Sequence, residues 1–444
     1  MRKDRKLIWG WAMYDWANSA FATTVMAGFF PIFFKKYWSS GVDVNQSTAM
    51  LGFGNSMASL IVALLAPVMG AIADRGSLKK KFLIFFAYLG VLMTAGLYLV
   101  EKGDWLMAVF VYIMGVIGFS GANIFYDSLL PIVAEESKVD SVSSFGYAMG
   151  YLGGGLLFLL NVIMTLQPKM FGFADAGEAV RWSFLSVALW WGLFTVFTIV
   201  WVQEPAIEIK KNQKSSIIEG LKQLKYTFEE IRHLKTVIIF LLAYWFYIDG
   251  VDTIVKMAVD YGMSIGFESD DLIVALLIVQ FVGFPAALFF GRLGERWGVR
   301  PSIFLAIGVY IGITIWGMMM REKYEFYVLA IVIGLVQGGI QALSRSYYSR
   351  LIPKNQSAEY YGFYNMLGKF AAIIGPALMG FVGLLMRDIL MPESPTAEQI
   401  IEVGQQASRW SIASIVILFV IGGTLLFFVD EEKGRSEAKL LNRN

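Results

Sequence analysis

The sequence predicts an all-α polytopic membrane protein of about twelve spans, arranged as two six-helix bundles. Three observations predict it. Of 444 residues, 57% are hydrophobic and 16% charged, against roughly 25% charged in a soluble domain, and mean hydropathy is +0.59. The apolar residues gather in runs close to the roughly 20 residues that carry a helix across a bilayer. The longest polar interruption, 203–235, falls mid-chain and leaves six runs on each side.

In order, the runs predict spans near 9–34, 50–73, 82–100, 105–130, 144–166 and 183–202, then 236–261, 271–293, 302–320, 326–348, 361–386 and 410–429. The expected organisation is an N-terminal bundle over 1–202, a linker over 203–235, and a C-terminal bundle with a tail over 236–444. Lys and Arg concentrate in the loops on the N-terminal side of the membrane, among them Arg2, Lys3, Lys79, Lys80, Lys81, Lys210 and Lys211. That bias predicts a plasma-membrane protein with both termini cytoplasmic. The basic start, Met1 to Lys6, runs into an apolar stretch too long for a signal h-region and lacks a small-residue cleavage site, so no cleaved leader is expected.

Two further helices are expected. In the linker, Ile217, Leu221, Leu224, Phe228 and Ile231 recur every three or four residues, with Lys222, Lys225 and Arg232 between them. The pattern fits an amphipathic helix, lying on the inner leaflet or packed on the bundle. Thr396 and Gln399 match a capping box and predict a short helix in the loop before the last span.

The halves echo each other. Span two ends in Gly70-Ala-Ile-Ala-Asp74-Arg75 and span eight in Gly291-Arg-Leu-Gly-Glu295-Arg296. Span five opens Phe145-Gly146-Tyr147 and span eleven Tyr361-Gly362-Phe363. Two matches at corresponding places predict parallel repeats, as in major facilitators.

Polar residues within spans point to function, since a charge at the bilayer centre costs roughly 3 kcal/mol even on the mild insertion scale. They collect on spans one, four, seven and ten: Asp15, Asn18 and Ser19; Ser120, Asn123, Tyr126 and Asp127; Asp249, Asp252, Thr253, Lys256 and Asp260; Gln337, Gln341, Ser344, Arg345 and Tyr348. Gln280, Asn365 and Lys369 are the main exceptions. A period of three spans predicts four three-helix units, each sending its first helix to a shared polar cavity.

Substrate or coupling roles are therefore expected of Asp15, Asn18, Asn123, Tyr126, Asp249, Asp252, Lys256, Gln337 and Gln341. Asp127 and Arg345 sit at corresponding inner ends and are expected to pair as a gate. Asp74, with Arg75, is expected to hold span two against the N-terminus of span eleven, and Lys369 joins the gating set. Asp249 has no basic residue one turn away on its own helix, and a lone carboxyl in a low-dielectric site is held more easily neutral than charged. It is the expected proton carrier, with Asp252 second and Asp15 third.

Together the segments YDWANSAFATTV, FYDSLLP, DGVDTIVKMAVDYG, GGIQALSRSYYSRLIP and AEYYGFYNMLGKFAAIIGP resemble the vacuole-effluxer family of the major facilitator superfamily, in its bacterial branch. The likeness covers nearly the whole chain and is most specific over 338–376. It implies the twelve-helix major facilitator fold with two pseudo-symmetric bundles, and secondary transport. The fungal vacuolar members are associated with amino-acid release, which makes amino acids the candidate solute. Two departures stand out. Asp74-Arg75 is followed directly by Gly76-Ser77-Leu78, and the Gly-Pro pair of antiporters is absent from span five, while Gly375-Pro376 stands on span eleven.

Other classes are disfavoured. The chain has no cysteine and one histidine, His233, outside the apolar runs, so a metal site or a nucleophile with its base is not expected. No Walker sequence is present. Net charge is +2, which gives no reason to expect nucleic acid as partner. The expected partners are a small solute, the bilayer and protons, with no cofactor, and the expected state is a monomer. A lipid or lysolipid transporter of the same fold is the alternative, and a membrane-embedded enzyme is the remoter one.

Overall fold

A computed structural model describes residues 2–40, 44–204, 234–264, 269–394 and 396–441. The linker helix expected over 217–231 lies outside the described residues, as do the side chains of Arg75, Lys256 and Asp260.

Among the described residues the regular structure is helical, and twelve helices are long and apolar enough to cross a membrane: α1 (Asp4–Trp38), α2 (Ser56–Asp74), α3 (Lys79–Leu99), α4 (Trp105–Val133), α5 (Glu136–Leu166), α6 (Ala176–Trp201), α7 (Lys235–Val255), α8 (Ile273–Trp297), α9 (Val299–Met319), α10 (Lys323–Leu351), α11 (Lys354–Leu390) and α12 (Ala397–Phe427). A further helix, α13 (Glu431–Leu441), follows. The even number of crossings returns the end of α12 to the face where α1 begins, called here the terminal face. The rim is apolar: Leu92, Phe110, Leu193, Phe289, Phe381 and Phe427 are each more than half exposed. Such a surface would aggregate in water and is at rest in lipid. This is a multi-pass membrane protein.

One buried apolar cluster unites α1 to α6 and a second unites α7 to α13. Their seams run along α2 against α11 and α5 against α8. Gly70 makes the first seam close: a Cβ there would collide with the backbone of Ala358 and Glu359. With helix backbones nearly touching, dispersion and polar contacts hold the seam, since lipid supplies no hydrophobic drive between helices.

Two local findings refine the sequence reading. In α1, residues Phe21–Phe29 and Phe34–Trp38 are π-helical, flanking Pro31, which has no N–H to give. The capping box forms, with Thr396 N–H donating to Gln399 Oε1 at 2.9 Å and Gln399 N–H to Thr396 Oγ1 at 3.3 Å. However, the helix it starts is not a separate loop helix. It forms the first part of α12 and runs on through Ser414 to Val416–Phe427, and the apolar face of 397–413 packs on α9 and α11.

Candidate functional site

Between the bundles lies a cavity of about 430 Å³, lined from α1, α4, α5, α7, α8, α9, α10, α11 and α12. That volume is within the roughly 300–1,000 Å³ of small-molecule sites. Its polar part comes from Asp15, Asn18, Ser19, Asn123, Tyr126, Asp127, Gln280, Gln337, Gln341, Arg345 and Asn365.

Toward the terminal face this part narrows onto Arg345, which is 2% exposed. Its Nη1 donates to Asp127 Oδ1 at 3.1 Å, and its Nη2 pairs with Asp15 Oδ2 at 3.5 Å. Its Nε donates to Ser143 Oγ at 2.9 Å and its Nη2 to the Ser143 carbonyl at 2.8 Å. Rings cover the guanidinium: Tyr147 at 4.3 Å, Trp11 at 4.8 Å and Tyr126 at 5.3 Å. The fork geometry of arginine explains the residue type, since one planar group meets two carboxylates and a backbone carbonyl at once.

Second contacts orient the carboxylates. Tyr126 O–H donates to Asp15 Oδ2 at 2.6 Å, and Trp11 holds Tyr126 by stacking at 4.4 Å and by donating to its carbonyl at 2.9 Å. Asn365 donates to Asp127 Oδ2 at 3.3 Å. Gly146 gives α1 this closeness to α5, because a Cβ there would stand 2.6 Å from Asp15 Oδ2 and 2.8 Å from the Tyr126 hydroxyl. Higher in the cavity Asn18 donates to Asn123 at 2.6 Å, and Gln280 reaches across the bundles to Thr23 Oγ1.

The α2–α11 seam closes the same face. Ala358 N–H donates to Asp74 Oδ1 at 3.1 Å and Glu359 N–H to Oδ2 at 2.8 Å. The α-helical part of α11 begins at Ser357, so the carboxylate receives its otherwise unpaired first N–H groups, at the positive end of its dipole. Lys79 pairs with Asp74 at 2.8 Å and donates to Ser357 Oγ at 2.7 Å. On the pseudo-symmetric seam Glu295 accepts from Ser141 on α5.

The structure therefore gathers Asp15, Asn18, Asn123, Tyr126, Asp127, Gln337, Gln341 and Arg345 around one cavity, and sets Asp74 at the head of α11. Three expectations change. Asp249 and Asp252 lie outside this cavity's lining. Asp249 is fully buried where α7 meets α11, accepting from Gly375 N–H at 3.0 and 3.1 Å and from Thr253 at 3.2 Å. The Gly375 backbone next to Pro376, not the cavity, is what its carboxylate meets. Lys369 is half-buried on α11 and also lies outside the lining. Sequence reasoning missed Ser143, Trp11 and Tyr147. Only Tyr147 carried a signal, in the repeated Phe145-Gly146-Tyr147 motif.

Comparison with known proteins agrees with this architecture. The family model described as "Vacuole effluxer Atg22 like" matches residues 3–392. A Bacillus subtilis relative, "Uncharacterized MFS-type transporter YxiO", is 38% identical over 95% of this chain and 94% of its own length. "Autophagy-related protein 22" of Yarrowia lipolytica is 21% identical over 87% of this chain and 76% of its own. Among solved structures, the human organic anion transporter MFSD10 superposes with a TM-score of 0.69 at 14% identity over 95% of this chain and 99% of that one. The proton:xylose symporter XylE superposes with 0.68 at 14% identity over 99% and 98%. At these identities the solved structures speak for the fold alone.

Proposed function

This chain belongs to the Atg22-like vacuole effluxer family of major facilitators, and we propose that it is a proton-coupled secondary transporter of a small polar solute. It works by alternating access in a plasma membrane, with the terminal face cytoplasmic, a sidedness supported by the Lys and Arg bias of the loops. Amino acids are the solute class that the family resemblance carries. The observation that carries the reading is Arg345, a buried cation from the C-terminal bundle held by Asp127 and Asp15 of the N-terminal bundle at one end of a solute-sized cavity. An ion pair between bundles stabilises the state in which that end is shut, and must break for the other state to form.

The chain has no cysteine, so single cysteines introduced on either face report accessibility directly. The expected result is reciprocal labelling of the two faces. Asp127→Arg and Arg345→Asp each shift the balance toward opening of the terminal face. The double exchange recovers part of the shift. A double variant no better than the worse single one counts against the gate.

For the proton, Asp15 is the proposed carrier. It lines the cavity, and its protein contacts run through Oδ2. Neutralising it would loosen one of the two interbundle ion pairs of Arg345, and so link protonation to opening. In proteoliposomes, Asp15→Asn is expected to lose accumulation driven by a pH gradient and to keep solute exchange. If Asp15→Asn still accumulates solute and Asp249→Asn does not, the carrier is on α7 instead.

A further inference from the structure

We propose that a second cavity, at the terminal face where α13 lies against both bundles, binds a phosphate group and thereby holds that face shut. The binding stands apart from the transport reading, and its effect on the face rests on that reading.

The cavity measures about 210 Å³, below the roughly 300–1,000 Å³ of whole small-molecule sites. It suits a charged group rather than a complete solute. No described residue lines both this cavity and the central one.

Its cations are Arg350, Lys354, Arg435 and Lys439, from α10, α11 and α13, and Glu136 is the carboxylate among its described lining residues. Asp140 and Glu431 stand close by. These three carboxylates occupy the Nη ends of the arginines. Arg350 Nη1 pairs with Glu431 at 3.5 Å and its Nη2 with Asp140. Arg435 Nη1 pairs with Glu136 at 3.5 Å and its Nη2 with Glu431. The Nε of both arginines is buried and has no acceptor among the described residues, although the Arg350 side chain is only 10% exposed. A buried donor left unmade is costly, and an arriving acceptor removes that cost. Lys354 and Lys439 are exposed and enter no ion pair among the described residues.

The N-terminal bundle adds an independent feature. The α-helical part of α5 begins at Val139, which lines the cavity, and it has no side-chain cap. The N–H groups and positive dipole end of such a terminus favour an anion. Donors therefore come from several walls. A tetrahedral phosphate offers each of them an oxygen, and arginine and lysine are the residue types that bind it. A chloride ion cannot span them. A group held by α5 on one side and by α10, α11 and α13 on the other must leave before the bundles part here. Binding to the shut state alone stabilises that state by mass action.

The phosphate can belong to an anionic lipid headgroup, since the helices leave the bilayer at this face, or be free in solution. The test adds inorganic phosphate, dioctanoyl phosphatidylglycerol or dioctanoyl phosphatidylcholine to the purified full chain in detergent, with ionic strength held constant by chloride. Melting temperature reads binding, and a cysteine introduced at the terminal face reads opening. Melting temperature is expected to rise with phosphate, with phosphatidylglycerol or with both. Phosphatidylcholine, whose choline the cations repel, is expected to leave it unchanged. A rise with phosphatidylglycerol alone assigns the site to lipid, and a rise with inorganic phosphate alone assigns it to the free ion. Lys354→Gln combined with Lys439→Gln is expected to raise the half-effect concentration by about tenfold or more. Lys354→Glu, measured beside it, is expected to do the same, so that one misfolded variant leaves the other to decide. Terminal-face labelling is expected to fall as the site fills. No rise with either phosphate source overturns the proposal, as does an equal rise with phosphatidylcholine or in both lysine variants. A rise with unchanged labelling overturns the hold on the face and leaves the site standing. The transport reading is judged separately, by reciprocal labelling of the two faces.

Discussion

Arg345 carries more of the site than any other side chain. Removing one partner of a buried ion pair costs roughly 3–5 kcal/mol, because the other partner is left charged in a low dielectric. Arg345→Leu leaves two such carboxylates, Asp15 and Asp127, and is expected to lower thermal stability by at least that amount, read by a melting curve in detergent. Arg345→Lys keeps the charge and loses the fork. An ammonium has three donors for the four acceptors that Arg345 meets and no planar fork to spread them, so folding is expected to recover more fully than transport. Ser143→Ala removes the hydroxyl that accepts from Arg345 and donates to the Ala342 carbonyl, and its cost should stay near the roughly 1.5–3 kcal/mol of a hydrogen bond to a charged group. A Ser143→Ala variant as damaged as Arg345→Leu would mean that the serine, not the ion pair, anchors the plug.

At the scale of elements, the closure of the terminal face depends on where helices begin. Asp74 accepts the first free N–H groups of α11 and pairs with Lys79, and both side chains are about 95% buried. Asp74→Asn keeps the shape and removes the charge. It is expected to move the resting population toward terminal-face opening while expression stays near normal, as read by cysteine labelling. Unchanged labelling would show that the seam is held by close packing, as at Gly70 and Gly362, without the Asp74 charge. The pairing of span two with span eleven was legible in the sequence because Asp74 ends span two on the membrane face where span eleven begins, and a helix N-terminus favours a carboxylate. The rotation of α7 was not legible. A stripe of Asp249, Asp252 and Thr253 shows which residues share a face, but not which neighbour that face meets. The neighbour is the Gly375 backbone on α11, more than a hundred residues away. The folded chain, and no local pattern, brings the two together.

At the scale of the whole molecule, α13 adds a third tie across the terminal face. Arg435 reaches Glu136 of the N-terminal bundle at 3.5 Å and also pairs with Glu431, and Arg350 meets both Glu431 and Asp140. The Arg435–Glu136 pair is partly exposed, at 35% and 46%, and such pairs contribute roughly 0–1 kcal/mol. Ending the chain at Asp430 is therefore expected to shift terminal-face accessibility less than Asp74→Asn does. A larger shift would make α13 the main latch.

The sequence by itself determined the membrane class, the twelve crossings and the likeness of the two halves. Hydropathy and repeated motifs are local quantities, and lipid forces every crossing segment to satisfy its own backbone as a helix. It also marked Asp15, Asn123, Asp127, Gln341 and Arg345, because a polar residue inside a span is too costly to stand there idle. Only the tertiary structure decided that Arg345 is sheathed by Trp11, Tyr126 and Tyr147, and that Asp249 serves the α7–α11 seam. These facts depend on how helices are turned toward one another. Packing of small residues such as Gly70 and Gly146 against a distant backbone sets that rotation, and the periodicity of a single helix does not contain it.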